Sequence, residues 1–248
     1  MWGLIMENLV PGGYSSYGQL AGILMSDSLI PRIPGDPGHA ETLSFPVRYK
    51  VLKDFPFEDL VHGRRENLEI VIAAALELQH SGVRFIAADC GLFAPFQTEI
   101  IQRLMVPFIG SPLDMIPMLN RFLPAHKKIG VITGDTRLLK DHHLADYGMT
   151  CSDLIISGMD SCSEFESVVI NHSPVLNVDN MRKGVCDAAA ELIHHKEQLG
   201  AVVLECANLC TFRSDVQKLL KVPVFDLVSL LELFSGGYFL KQFKTDYL

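Results

Sequence analysis

No stretch of this 248-residue chain reaches the roughly 18 consecutive apolar residues that a membrane-spanning helix needs, although 48% of it is hydrophobic. The segment Met1 to Leu20 contains no lysine or arginine, since Arg32 is the first basic residue. The basic start of a secretory leader is therefore missing, and Pro11-Gly12-Gly13 interrupts what apolar character the segment has. The expectation is a cytoplasmic protein with no membrane partner. Positive charge is also short, with 21 Lys and Arg against 29 Asp and Glu for a net charge of −8. Nucleic-acid binding calls for a concentrated basic surface, so it is excluded as the main function. The six cysteines include no CxxC pair and do not cluster with other ligands as zinc sites do, so no metal is expected.

What the chain does have is a repeat. Shifted by 116 residues, Val83–Met118 lies on Leu199–Phe234 without a gap. Each copy carries an apolar run, an acid (Asp89, Glu205) and then a cysteine (Cys90, Cys206). Phe96 falls on Phe212, and Val106-Pro107 on Val222-Pro223. An alanine-rich segment precedes each copy, AAALEL at 73–78 and AAAELI at 188–193. The opening segments Gly22–Asp27 and Gly130–Asp135 also match.

Short apolar runs at 21–25, 84–88, 107–109, 129–133, 154–157, 201–204 and 223–225 have the length of strands buried on both faces. Amphipathic segments lie between them, around Ile70–Leu78, Ile100–Met105 and Val216–Leu220. Alternating strand and helix predicts an α/β fold with parallel sheets. The repeat predicts two pseudo-symmetric Rossmann-like lobes, with the active site in the cleft between them. We assign residues 1–121 and 227–248 to the first lobe and 122–226 to the second, with Pro112–Arg121 crossing over.

Ligands in parallel sheets bind beyond the carboxyl ends of the strands. Both Cys90 and Cys206 sit at such an end, ahead of a helix whose positive N-terminus is expected to lower a thiol's pKa towards neutral. Symmetry places the two thiols on opposite walls. A base on one face of a carbon and an acid on the other can move a proton across it. The remaining cysteines, including Cys210, which falls on Ala94, read as packing residues. Asp27 and Asp135 open matched loops and could bind a substrate ammonium or cap a turn. Asp89 and Glu205 should point away from the thiols by strand alternation and anchor loops. His142-His143 and His194-His195 read as solvated.

The segments ADCGLFAPFQ and LECANL, each followed by a Val-Pro strand, resemble the aspartate/glutamate racemase superfamily, from about Gly22 to Phe234. That superfamily includes amino-acid and hydantoin racemases, arylmalonate decarboxylase, maleate isomerase and algal dimethylsulfoniopropionate lyases. The resemblance implies a cofactor-independent enzyme whose acid/base pair is Cys90 and Cys206. It implies that Gly91, Leu92, Ala207 and Asn208 hold a small-molecule carboxylate. Arg32, Arg48 and Tyr49 from the segments GILMSDSLIPRIPGD and FPVRY, with Ser111, Asp27 and Thr133, are further candidate contacts. The amino-acid racemases carry Cys-Asn-Thr at the first motif and Cys-Thr at the second, whereas this chain has Cys90-Gly91-Leu92 and Cys206-Ala207-Asn208. A racemase or epimerase is the first expectation and a carbon–sulfur lyase or decarboxylase the second. A non-catalytic two-lobed binding protein is the third, and a homo-oligomer is left open.

Overall fold

The computed structural model describes residues 12–240. The outermost ends of the first expected lobe, 1–11 and 241–248, lie outside the described residues. Eight strands form two four-stranded, wholly parallel sheets. Strands β1 (Ala21–Ser26), β2 (Val47–Leu52), β3 (Phe85–Ala88) and β4 (Phe108–Ile109) assemble in the order β2-β1-β3-β4. Strands β5 (Lys128–Thr133), β6 (Ile155–Gly158), β7 (Leu199–Leu204) and β8 (Val224–Phe225) assemble as β6-β5-β7-β8. The two orders are the same, which is the two-lobed α/β architecture expected from the repeat.

Strands β1, β3 and β7 are almost wholly buried, and their sequences AGILMS, FIAA and LGAVVL are correspondingly apolar. Such strands need helices on both faces. Helix α1 (Phe57–His62) and α2 (Leu68–His80) follow β2, and α3 (Gln97–Ile101) leads to β4. Helix α2 turns Val71, Ile72, Ala75 and Leu78 inward onto Leu24 and Ile86. In the second lobe, the three-residue α5 (Ser163–Phe165) runs on as a π-helical turn, and α6 (Val178–Leu192) and α7 (Arg213–Leu220) cover one face. Asn177 caps α6 by accepting the Asp179 and Asn180 N–H groups.

Each sheet hands a helix to the other. The segment Pro112–Arg121 forms a short 3₁₀ turn and then α4 (Ile116–Phe122), whose Ile116 and Leu119 pack beside Ile129, Val131 and Val203 of the second sheet. After β8, α8 (Leu227–Ser235) buries Leu227 and Leu231 against Ala21, Ile23 and Phe85 of the first. Both crossovers open with a capping box, at Ser111 and Asp114 and at Asp226 and Ser229, which satisfies donors that a helix start leaves orphaned.

Two expectations fail locally. Strand β2 is not among the apolar runs, because VRYKVL is an edge strand with Tyr49 and Val51 exposed. The amphipathic stretch through Met105 ends early, since α3 stops at Ile101 and Met105 is 91% exposed beyond it.

Candidate active site

The two cysteine motifs hold equivalent places in the two sheets, as they do in the sequence repeat. Cys90 follows β3 and precedes a six-residue 3₁₀ turn, Gly91–Phe96, while Cys206 follows β7 and precedes the equivalent turn Ala207–Phe212. Both cysteines hold extended backbone, and each sits between the end of its strand and the turn that follows. The backbone N–H two residues on, of Leu92 or Asn208, is directed at the corresponding sulfur. Both thiols line one cavity of ≈ 370 Å³ between the lobes. They are close enough that charge on Cys206 raises the pKa of Cys90.

The thiols do not have the lowered pKa expected from sequence. Burial pushes both well above the ordinary thiol range, with the charge of Glu205 second and that of Asp89 contributing in each case. The 3₁₀ turns are too short to offer the dipole of a full helix, and carboxylates outnumber cations around the sulfurs. Asn208 ties its own motif to the opposite lobe. Its Oδ1 accepts a long hydrogen bond from the Cys206 thiol at 3.6 Å, and its Nδ2 donates to Asp36 at 3.1 Å.

Arg32 closes this network. Its guanidinium donates to Asp36 at 3.0 Å and to Asp89 at 2.8 Å, and Asp89 also accepts the Ser26 N–H and hydroxyl. Asp89 thus anchors the loops after β1, as expected, while also forming part of the cavity wall. Burial raises the Asp89 pKa, opposed by Arg32 and by the Ser26 bonds.

Of the candidates, Cys90, Cys206, Leu92, Ala207, Asn208, Asp27, Arg32 and Thr133 line the cavity. Asp27 is exposed at its wall. Asp135 also lines it, bonded to the Arg137 N–H at 2.8 Å and paired with the Arg137 guanidinium. Gly91 packs behind the wall, where an added methyl would collide with the carbonyl and carboxyl oxygens of Glu205. Arg48, Tyr49 and Ser111 do not line it. Arg48 sits half-buried on β2 and the Tyr49 hydroxyl donates to the Pro37 carbonyl at 3.0 Å. Ser111 is fully buried, its hydroxyl accepting the Leu113 N–H as a helix cap.

Sequence reasoning missed much of the remaining wall. Phe55 and Phe57 come from the turn and helix after β2, and Phe165, Val169 and His172 from α5 and the turns that follow it. These segments follow the equivalent edge strands β2 and β6 but lie outside the sequence repeat, so no motif pointed to them. His143 was expected to be solvated and is instead 1% exposed, bonded to Leu60 of α1. Glu205 does not merely anchor a loop, because it lies on the cavity wall beside both motifs. Among the described residues no group of three or more His, Cys, Asp or Glu is arranged to hold a metal ion. None of their helices is long and apolar enough to cross a membrane.

Comparison with known proteins supplies a context for this arrangement. A model of the Asp/Glu/Hydantoin racemase family matches residues 56–231. A dimethylsulfoniopropionate lyase from Durusdinium sp. clade D is 25% identical over 216 residues, covering 83% of this chain and 70% of that protein. Against dimethylsulfoniopropionate lyase 3 of Emiliania huxleyi, at 24% identity, the chain spans 57% of the relative's length. Among solved structures, allantoin racemase from Pseudomonas fluorescens superimposes with a TM-score of 0.55 at 16% identity, over 88% of this chain and 90% of that one. Unliganded arylmalonate decarboxylase gives 0.53 at 15% identity, over 89% and 91%. At these identities the structural matches speak for the fold.

Proposed function

The chain belongs to the Asp/Glu/Hydantoin racemase family, and from that premise we propose that Cys90 and Cys206 remove and return a proton at the carbon beside a substrate carboxylate. The observation that carries this reading is that the two thiols, each at the end of an equivalent strand, open onto a single cavity. A carbon held between them can lose its proton to a thiolate on one side and receive one from the thiol on the other. Inversion follows, and the reverse reaction exchanges the roles of the two sulfurs. The Leu92 and Asn208 N–H groups stabilise whichever sulfur carries the charge. The enzyme is then a racemase or epimerase working without a cofactor.

Solvent deuterium should enter the α-carbon of the substrate, and inversion should accompany exchange. Cys90→Ala and Cys206→Ala should each lower the racemisation rate by on the order of 10²-fold or more, the usual worth of a general acid or base. Full racemisation by Cys90→Ala protein would overturn the two-thiol reading.

A second reading is favoured by the composition of the cavity wall. Arg32 is taken up by Asp36 and Asp89, while Asp27, the Arg137-paired Asp135 and the rings of Phe55, Phe57, Phe93 and Phe165 line the space. Acids and ring faces suit a substrate that bears a positive group as well as a carboxylate. On such a substrate, one thiolate takes the α-proton, the β-carbon–sulfur bond breaks, and dimethyl sulfide leaves with the bonding electrons to give an unsaturated carboxylate. The relatives named dimethylsulfoniopropionate lyase support this alternative. Incubation with dimethylsulfoniopropionate separates the two: a lyase releases volatile sulfide, whereas a racemase of another carboxylate releases none.

A further inference from the structure

Glu205 is a buried acid at the junction of the two cysteine motifs. It is 3% exposed, directly precedes Cys206, and lines the cavity. Across the lobe boundary its carboxyl lies against Gly91, the residue after Cys90, so closely that the glycine leaves no room for a methyl group. Its two oxygens are treated unequally. Oε2 accepts the Thr133 hydroxyl at 2.8 Å, whereas Oε1 is buried with no hydrogen-bond partner.

A buried carboxylate needs donors at both oxygens and a compensating cation. Glu205 faces Thr133 and Gly134 from the end of β5, and Gly91 with Cys90 and Asp89 from the end of β3. The guanidinium on the cavity wall, Arg32, is held by Asp36 and Asp89. The other charged groups on the cavity wall are Asp27 and Asp135, the latter paired with Arg137, and His172 at the mouth is the remaining titratable base. Among the described residues, those named beside Glu205 bring a hydroxyl, acids, thiols and glycine, and none brings a free cation.

We propose that Glu205 works as a neutral carboxyl shared by the two cysteines, a positioning residue whose proton on Oε1 must be present for either thiol to ionise. With that proton in place, the carboxyl is uncharged and adds no negative charge near the sulfurs. Without it, a second negative charge sits next to whichever thiol is to become the base. The proton stays on Glu205 while the substrate proton moves between sulfur and carbon. Burial supports this state by pushing the Glu205 pKa up to about 7, against the Thr133 and Gly134 bonds that lower it. The charge of Glu205 is the largest electrostatic contribution raising both thiols.

This inference rests on the reading that Cys90 and Cys206 are the reacting groups, and its test reads those thiols directly without a substrate. Iodoacetamide modification of the full-length protein, resolved by peptide mass spectrometry, gives the alkylation rate of each cysteine against pH. In Glu205→Gln, a permanently neutral isostere, the rates at Cys90 and Cys206 should match wild type below about pH 6. Above about pH 7 the variant should be faster, by on the order of tenfold for each pKa unit the charge adds. Cys151 and Cys162 serve as internal controls and should not change. Profiles that coincide at every pH, or a slower variant, would overturn the proposal. Should Glu205→Gln fail to fold, the wild-type protein decides alone. Carboxyl infrared or carbon-13 spectra must then show a buried protonated acid that ionises near pH 7, and a Glu205 already ionised at pH 5 refutes the role. Loss of activity on cysteine substitution tests the parent reading separately.

Discussion

Single residues around the cavity carry costs that can be measured. Arg32 has two buried carboxylates as partners, Asp36 and Asp89. Removing one member of a buried ion network leaves the others uncompensated, typically at about 3–5 kcal/mol. Arg32→Ala should therefore lower the urea midpoint with little change in slope, and should weaken the Asn208–Asp36 link across the cleft. A destabilisation below about 1 kcal/mol would mean that the three groups reorganise freely. Glu205 behaves differently because its folded-state pKa lies above its value of 4.5 in the unfolded chain, at about 7. A folded acid that holds its proton longer is favoured at low pH, and the advantage is lost as pH rises from 4.5 through 7. The size is on the order of 3 kcal/mol. Glu205→Gln should gain that much on wild type between pH 5 and pH 8, read by denaturation at both pH values.

At the scale of elements, the two cysteine motifs are equivalent in backbone and unequal in packing. The position after the cysteine is Gly91 in one and Ala207 in the other. Ala207 is buried at 2% exposure and fits. Gly91 faces the Glu205 backbone and side chain across the lobe boundary, and the backbone oxygen cannot swing aside. Gly91→Ala should push the motifs apart, costing about 1–3 kcal/mol of stability and most of the activity. The reverse change, Ala207→Gly, should cost less than about 2 kcal/mol and leave the cleft intact. Thermal melts of the two variants give the comparison. This asymmetry also marks the limit of reading from sequence. The repeat around Cys90 and Cys206 is visible because equivalent strands bury the same apolar runs, and apolar runs survive as pattern. Strand β2 escaped because an edge strand alternates with solvent, and Tyr49 and Val51 break its apolar pattern. Phe55, Phe57 and Phe165 were hidden for another reason: they follow the equivalent edge strands β2 and β6 on segments that share no sequence pattern, and their place on the wall depends on how the halves dock. The thiol pKa values were misjudged because a helix start was visible in the sequence, while the burial of both sulfurs and the docking that brings Glu205 to Cys90 were not.

For the whole molecule, the question is what holds two lobes at a fixed distance across a cavity. Part of the answer lies opposite the Asn208–Asp36 link, at His143. This residue of the second lobe is buried, and its Nδ1 accepts the Lys140 N–H at 3.0 Å. The proton therefore sits on Nε2, which donates to the Leu60 carbonyl of α1 at 3.1 Å. Burial lowers the His143 pKa to about 4 from 6.5, opposed by the Leu60 contact. A base with a depressed folded-state pKa resists protonation when folded and accepts it when unfolded. Stability from this group is complete above pH 6.5 and is lost as pH falls towards 4, by on the order of 3 kcal/mol. Protonation also puts a second N–H on the ring at Nδ1, which loses the Lys140 N–H as a donor and can turn only to the Lys140 carbonyl at 3.3 Å. Acid should accordingly loosen the docking of Asp141–His143 on Gly91–Phe96, the turn that follows Cys90. Hydrogen exchange should show protection falling in both segments between pH 6.5 and pH 4.5, before the strands of either sheet open. His143→Leu, which cannot titrate, should keep a flatter stability profile over that range despite losing the Leu60 bond. A variant profile as steep as that of wild type would assign the acid sensitivity to another group and leave His143 as packing alone.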